Sequence, residues 1–123
     1  MINQAVGDAM SGLLLCFAIL LLRNMTFDDW CGLYTDLPSK QCKIECAAKA
    51  SIICSEDETQ VVAPEGLQAA LNEAMKRRGA KSRCFVRPSG TEDCVRIYAE
   101  AKTQADANLL AEDAAAAIRK FLG

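Results

Sequence analysis

The sequence predicts an α+β fold: a small antiparallel sheet of about four strands, with two helices packed on one face and one or two helices before it. Three observations carry this expectation. Residues 41–49 and 94–101 alternate apolar and polar side chains at strand period. Two other stretches, beginning at Leu67 and Thr103, repeat apolar residues at helical spacing. From Gln41 onward the order is strand, weak strand, helix, strand, strand, helix, which favours helices layered on one face of an antiparallel sheet.

The first element is the run GLLLCFAILLL over residues 12–22, extended slightly by Ala9 and Met10. A spanning helix needs about 20 apolar residues, and this run stops short at Arg23. A secretory signal places positive charge before its apolar core, whereas here Asp8 precedes and Arg23 follows. The expectation is a buried helix, apolar nearly all round, wanting contacts on every side. A chain of 123 residues struggles to supply them, so partner surface is expected to be missing. Thr26 with Asp29 fits a capping box opening a short helix to about Tyr34. Thr35-Asp36-Leu37-Pro38-Ser39 reads as a linker.

Residues 41–49 place Cys42, Ile44, Cys46 and Ala48 on one face and Lys43, Glu45 and Lys49 on the other, a half-buried strand. Residues 51–55 form a weaker strand, and Glu56, Asp57 and Glu58 a solvated turn. Pro64-Glu65-Gly66 leads into a helix whose stripe is Leu67, Ala70, Leu71, Ala74 and Met75. Lys76, Arg77 and Arg78 crowd its last turn before Gly79 stops it. Residues 83–86 and 94–101 are strands; in the second, Val95, Ile97 and Ala99 face the core while Arg96, Tyr98 and Glu100 face away. Thr103 and Asp106 cap a final helix buried through Leu110, Ala114, Ala117 and Phe121.

Composition narrows the chemistry. Fourteen Lys and Arg stand against 16 Asp and Glu, a net charge of −2, with no global reason to bind nucleic acid or an anionic membrane. A hydrophobic fraction of 51% is that of a globular chain rather than a disordered one. Histidine is absent, which excludes Ser-His-Asp triads, Cys-His dyads and His-containing metal sites. Seven cysteines include no C-x-x-C pair; on one strand Cys42 and Cys46 lie about 13 Å apart, too far for a disulfide or shared metal. They read as small, reduced, apolar residues of a reducing compartment, the cytoplasm.

Between the last two strands lies Arg87-Pro88-Ser89-Gly90-Thr91-Glu92-Asp93. Its composition suits an anion cradle. Gly90 allows positive φ, so successive N–H groups can point into one concavity. Ser89 and Thr91 add hydroxyls, and Arg87 can grip phosphate oxygens with both arms of its fork. A hairpin would bring Arg96 back toward the loop. By composition alone such a segment is more often just a turn between strands.

The stretch Cys84-Phe85-Val86-Arg87-Pro88-Ser89-Gly90-Thr91-Glu92-Asp93-Cys94-Val95-Arg96 resembles the phosphate-binding loop of the α-D-phosphohexomutase superfamily, whose last domain carries Arg-x-Ser-Gly-Thr-Glu. Three further segments are similar to the branch acting on N-acetylglucosamine phosphates. They are Asn3-Gln4-Ala5-Val6-Gly7-Asp8-Ala9, Trp30-x-x-Leu33-Tyr34-Thr35-Asp36-Leu37-Pro38 with Gln41 and Lys43, and Pro64-x-Gly66-Leu67-Gln68. The resemblance implies residues 1–35 as the helical end of a preceding mutase domain and residues 36–123 as the carboxy-terminal phosphate-binding domain. The apolar helix would then pack inside that preceding domain.

By the same resemblance, Arg87, Ser89, Gly90, Thr91 and Arg96 hold the phosphate that is not being transferred, Pro88 stiffens the turn, and Glu92 and Asp93 anchor the loop or turn into solvent. The whole enzyme would be an isomerase of amino-sugar metabolism, feeding UDP-N-acetylglucosamine synthesis, with phosphosugar and the other mutase domains as partners. It would use Mg2+ bound by a domain absent here, with no metal on this chain. Neither the Ser-His nucleophile motif nor the Asp-x-Asp-x-Asp loop occurs in the sequence, so this stretch alone should be inactive, with no catalytic residue.

Two rival readings stand beside this one. The basic residues Lys76, Arg77, Arg78, Lys81, Arg83 and Arg87 suggest a small nucleic-acid-binding module, although only Phe85 and Tyr98 offer aromatic rings for stacking bases. A structural or membrane-associated protein built on the first helix is the other. The expected partners include neither nucleic acid nor membrane.

Overall fold

The computed structural model describes residues 8–122, in two compact units: one up to Asp36, the other from Leu37 onward. The motif residues Asn3 to Gly7 lie outside the described residues.

In the first unit, α1 (Ala9–Leu22) begins at Asp8, whose carboxylate accepts from the Met10 N–H at 3.0 Å and the Ser11 hydroxyl at 2.6 Å. Leu20 is its buried residue, while Leu21 and Leu22 are 82% and 87% exposed. No helix among the described residues is long and apolar enough to cross a membrane. The predicted capping box opens α2 (Phe27–Cys31): the Asp29 N–H donates to Thr26 Oγ1 at 3.1 Å, and the Thr26 N–H to Asp29 Oδ2 at 2.8 Å. This helix ends at Gly32, short of the predicted Tyr34.

The second unit is α+β, as predicted. A three-stranded antiparallel sheet has the order β1 (Ser39–Glu45), β5 (Cys94–Glu100), β4 (Arg83–Pro88). Helices α3 (Leu67–Arg78) and α4 (Gln104–Leu122) pack against it. Their shared core joins Leu67, Leu71, Leu110, Ala114 and Ile118 to Val86, Val95 and Ile97. Val95, Ile97 and Ala99 face this core, as their alternation predicts.

Four details differ from the expectation. The sheet has three strands, and β2 (Ile53–Cys54) with β3 (Val61–Ala63) forms a separate two-stranded ribbon. β3 is too short, and too close to Pro64, to display alternation. β1 ends at Glu45 instead of continuing to Lys49: its partner β5 begins at Cys94, the bond from the Cys46 N–H to the Asp93 carbonyl at 3.0 Å is the last in register, and the chain then turns into a 3-10 segment, Lys49–Ser51. On α4 the buried stripe runs through Ile118, whereas Phe121 lies at the surface over Gly66. Gly66 has φ +90°, a backbone conformation that favours glycine, and a Cβ there would meet the Phe121 ring at 3.2 Å, so that ring would have to shift slightly.

Candidate functional site

The pairing register builds the site. Arg87 on β4 lies directly opposite Arg96 on β5, and Arg96 lies opposite Lys43 on β1. All three share the sheet face turned away from the core, so three cations stand in one row. The next row is Gln41, Tyr98 and Phe85, the two rings stacked with centroids 4.7 Å apart. The row beyond is Ser39, Glu100 and Arg83. Like charges directly opposite in a sheet are destabilising, so the cationic row needs counter-charge.

Two carboxylates supply it. Arg87 Nη1 donates to Glu58 Oε2 at 2.8 Å. Glu92 bridges the other two: Arg96 Nη2 reaches its Oε2 and Lys43 Nζ its Oε1, each at 3.4 Å. The Cys94 thiol, Lys43 and Arg96 together hold the Glu92 carboxyl below the usual carboxylate range. Glu58 projects from the acidic turn expected to be merely solvated; its φ is +55°, and Asp57 braces that turn by accepting from the Ser55 and Thr59 hydroxyls.

The loop 89–93 rises from this row. Ser89 is 7% exposed: its N–H donates to the Cys94 carbonyl at 2.9 Å and its Oγ accepts from the Glu92 N–H at 3.3 Å. Lys49 Nζ fastens the loop through the Glu92 carbonyl at 2.5 Å and the Asp93 carboxylate at 3.1 Å. Both expectations for Glu92 and Asp93 are met in part: Lys49 holds the Glu92 carbonyl and pairs with Asp93, while the Asp93 side chain is 87% exposed. Gly90 and Thr91 form the exposed tip. Gly90 departs from the expectation in one respect. Its φ is not in the left-handed region, and a Cβ built on it meets nothing within 4 Å. The loop's own backbone therefore does not require glycine there; the bare position leaves room for something outside the chain. Hollows of about 140 Å³, bounded by Phe85, Tyr98, Arg87 and Arg96, and about 400 Å³, bounded by Gln41, Lys43, Glu92 and Arg96, open beside the row.

The five residues expected to hold phosphate thus gather at one end of the hairpin, with Ser89 inside the loop and Arg87, Gly90, Thr91 and Arg96 on its surface. Sequence reading missed Lys43 and Glu58 as neighbours of the site. Lys43 carried a signal, since it lies on the polar face of an alternating strand. Glu58 carried none, because its turn is brought to Arg87 by tertiary packing alone.

The basic stretch does not favour the nucleic-acid reading. Lys76 pairs with Glu73, Arg78 with Asp113 and Arg83 with Glu100, each at 2.9 Å. Phe85 and Tyr98 stack on each other. Glu100, expected on the outward face, is on that face but only 8% exposed, because it accepts from Arg83 at 2.9 Å and the Tyr98 hydroxyl at 2.6 Å. Those two bonds hold its carboxyl below the usual range, and the same bond raises the Tyr98 hydroxyl. The seven cysteines are free thiols, and burial pushes Cys84 up to about 12. Among the described residues no group of three or more His, Cys, Asp or Glu side chains is gathered to hold a metal ion.

Residues 50–117 match the family model of the phosphoglucomutase/phosphomannomutase C-terminal domain. The chain is 46% identical over 123 residues to phosphoacetylglucosamine mutase of Arabidopsis thaliana, covering all of this chain and 22% of the relative. With the Homo sapiens enzyme of the same name it shares 47% over 121 residues, covering 98% of this chain and 22% of that protein. The crystal structure of Aspergillus fumigatus N-acetylphosphoglucosamine mutase in complex with GlcNAc-6P and magnesium superposes with TM-score 0.90 at 42% identity, again over 98% of this chain and 22% of the other. The chain therefore spans about a fifth of the length of these relatives. On its matching residues and fold, it belongs to the phosphoglucomutase/phosphomannomutase family, within the α-D-phosphohexomutase superfamily, with residues 50–117 matching the C-terminal domain of that family.

Proposed function

We propose that this chain is the phosphate-holding end of a phosphoacetylglucosamine mutase, and that Arg87, Ser89, Gly90, Thr91 and Arg96 grip the phosphate of N-acetylglucosamine 6-phosphate or 1-phosphate that is not being transferred. The observation that carries the reading is the register: Arg87 directly opposite Arg96, under a loop whose tip glycine is open to an incoming group. A phosphate dianion placed there takes over the counter-charge that Glu58 and Glu92 supply to the two guanidiniums and accepts from both forks. Ser89 keeps the loop folded over its internal bonds, so the tip amides of Gly90 and Thr91 are presented without rearrangement.

Magnesium, present in the complex of the A. fumigatus relative, supplies charge neutralisation in phosphoryl transfer. In this reading the ion is held by another domain of the enzyme. This chain binds and orients; nucleophile and proton transfer belong to other parts of the enzyme. The compartment consistent with seven free thiols is a reducing one, the cytoplasm.

Calorimetric titration with N-acetylglucosamine 6-phosphate tests the reading. Binding near millimolar is expected, roughly 4 kcal/mol, with none for unphosphorylated N-acetylglucosamine and none for the double variant R87A/R96A. Equal binding of the phosphorylated and unphosphorylated sugars would contradict it. The same samples, given magnesium and a bisphosphate sugar primer, should turn over no substrate.

A further inference from the structure

We propose that Lys43 is a third cation of the phosphate site, parked on Glu92 until a dianionic phosphate monoester arrives. This rests on the phosphate reading above.

Lys43 occupies the β1 position opposite Arg96, on the same sheet face, and Arg96 is in turn opposite Arg87. Two strand spacings separate Lys43 from Arg87, roughly 10 Å between backbones, which side chains of this length can close from either side. A lysine is a point charge on a flexible stem, so it can swing toward an anion held by a neighbouring fork. Its hold on Glu92 is loose: the contact is 3.4 Å long, with side-chain exposures of 64% for Lys43 and 47% for Glu92. Exposed pairs of this kind contribute little, so little opposes the exchange of one anion for another.

Lys43 is not needed to fasten the loop. Lys49 already holds the Glu92 carbonyl and the Asp93 carboxylate, and Ser89 closes the loop from within. The hollow of about 400 Å³ bounded by Lys43, Arg96 and Glu92 gives an anion room on the Lys43 side of Arg96. Three cations around one group favour the doubly charged form of phosphate, so the site takes a phosphate monoester in preference to a singly charged anion. Glu92 is then the counter-ion that the ligand displaces.

The test is a titration of the 123-residue chain with inorganic phosphate, followed by amide shifts, against K43Q, K43R and E92Q. K43Q should weaken binding roughly fivefold to tenfold, the scale of one charge-assisted contact, with loop amides otherwise unchanged. K43R should stay within about twofold of the parent. E92Q should bind equally or more tightly, because it frees both cations. If K43Q and E92Q weaken binding alike, Lys43 acts only through the loop and the inference is overturned. It is also overturned if K43Q binds as the parent does while Ser89 to Thr91 still shift. If phosphate moves none of those amides in the parent chain, the phosphate reading itself fails and this inference with it.

Discussion

The helices of the two units carry hydrophobicity in opposite ways. α1 is apolar around its whole circumference and has no polar side to turn outward; its Leu14, Leu21 and Leu22 are exposed. α4 is less apolar overall but sorts its residues, with Ala107, Leu110, Ala111, Ala114 and Ile118 buried, and Glu112, Arg119 and Lys120 outside. A stripe specifies which face meets the core, whereas uniform greasiness specifies only that burial is wanted. α4 finds its partner surface within the chain, on the sheet. The exposed leucines of α1 form the kind of patch that marks an interaction surface.

The largest expected effect breaks the comparison at its centre. Replacing fully buried Leu110 by Ala should cost about 2–5 kcal/mol, enough to unfold much of the second unit. Leu21→Ala, on the uniform helix, should change stability by no more than about 0.5 kcal/mol. Chemical denaturation of both variants checks the pair; equal losses would mean that α1 belongs to the same core.

A shortened chain beginning at Asp36 sharpens the same contrast. It should remain folded, with a melting temperature within a few degrees of the parent, and should lose any self-association seen by sedimentation, because the apolar helix is gone. Unfolding of the shortened chain would show that the first unit completes the second.

The smallest effect is titratable. Glu100 is depressed in the folded state by its bonds from Arg83 and Tyr98, and Glu92 by Cys94 and Lys43. A carboxylate with a lowered folded value contributes stability that is present above its unfolded value and lost as pH falls through the folded one. The second unit should therefore weaken below about pH 4. Glu100→Gln should be less stable by about 1 kcal/mol at neutral pH and should show a shallower acid decline. Thermal melts from pH 3 to 7 read both slopes.

These contrasts explain what could be read in advance. The helices, the caps at Thr26 and Thr103, and the core faces of β5 and α3 were legible, because period and capping are local. The extent of the sheet was not. β3 is three residues long, and β1 stops where its partner β5, far along the chain, runs out at Cys94. At the site, Arg87 and Arg96 could be placed on one hairpin from sequence, but the counter-ion Glu58 reaches Arg87 across 29 positions and left no local trace. Glu100 shows the limit of alternation: its outward parity was right, yet Arg83 and Tyr98 cover it.

The central claim is that a phosphate sits between Arg87 and Arg96 under the loop tip. Residue-resolved amide shifts during a phosphate titration test it most directly. The account predicts that the shifts concentrate at Ser89, Gly90 and Thr91, shrink with added salt as exposed charge is screened, and fall sharply in Arg96→Ala, whose fold stays intact because that side chain is outside the core. Shifts centred instead on Lys76 to Arg83, with Ser89 to Thr91 unmoved, would contradict it.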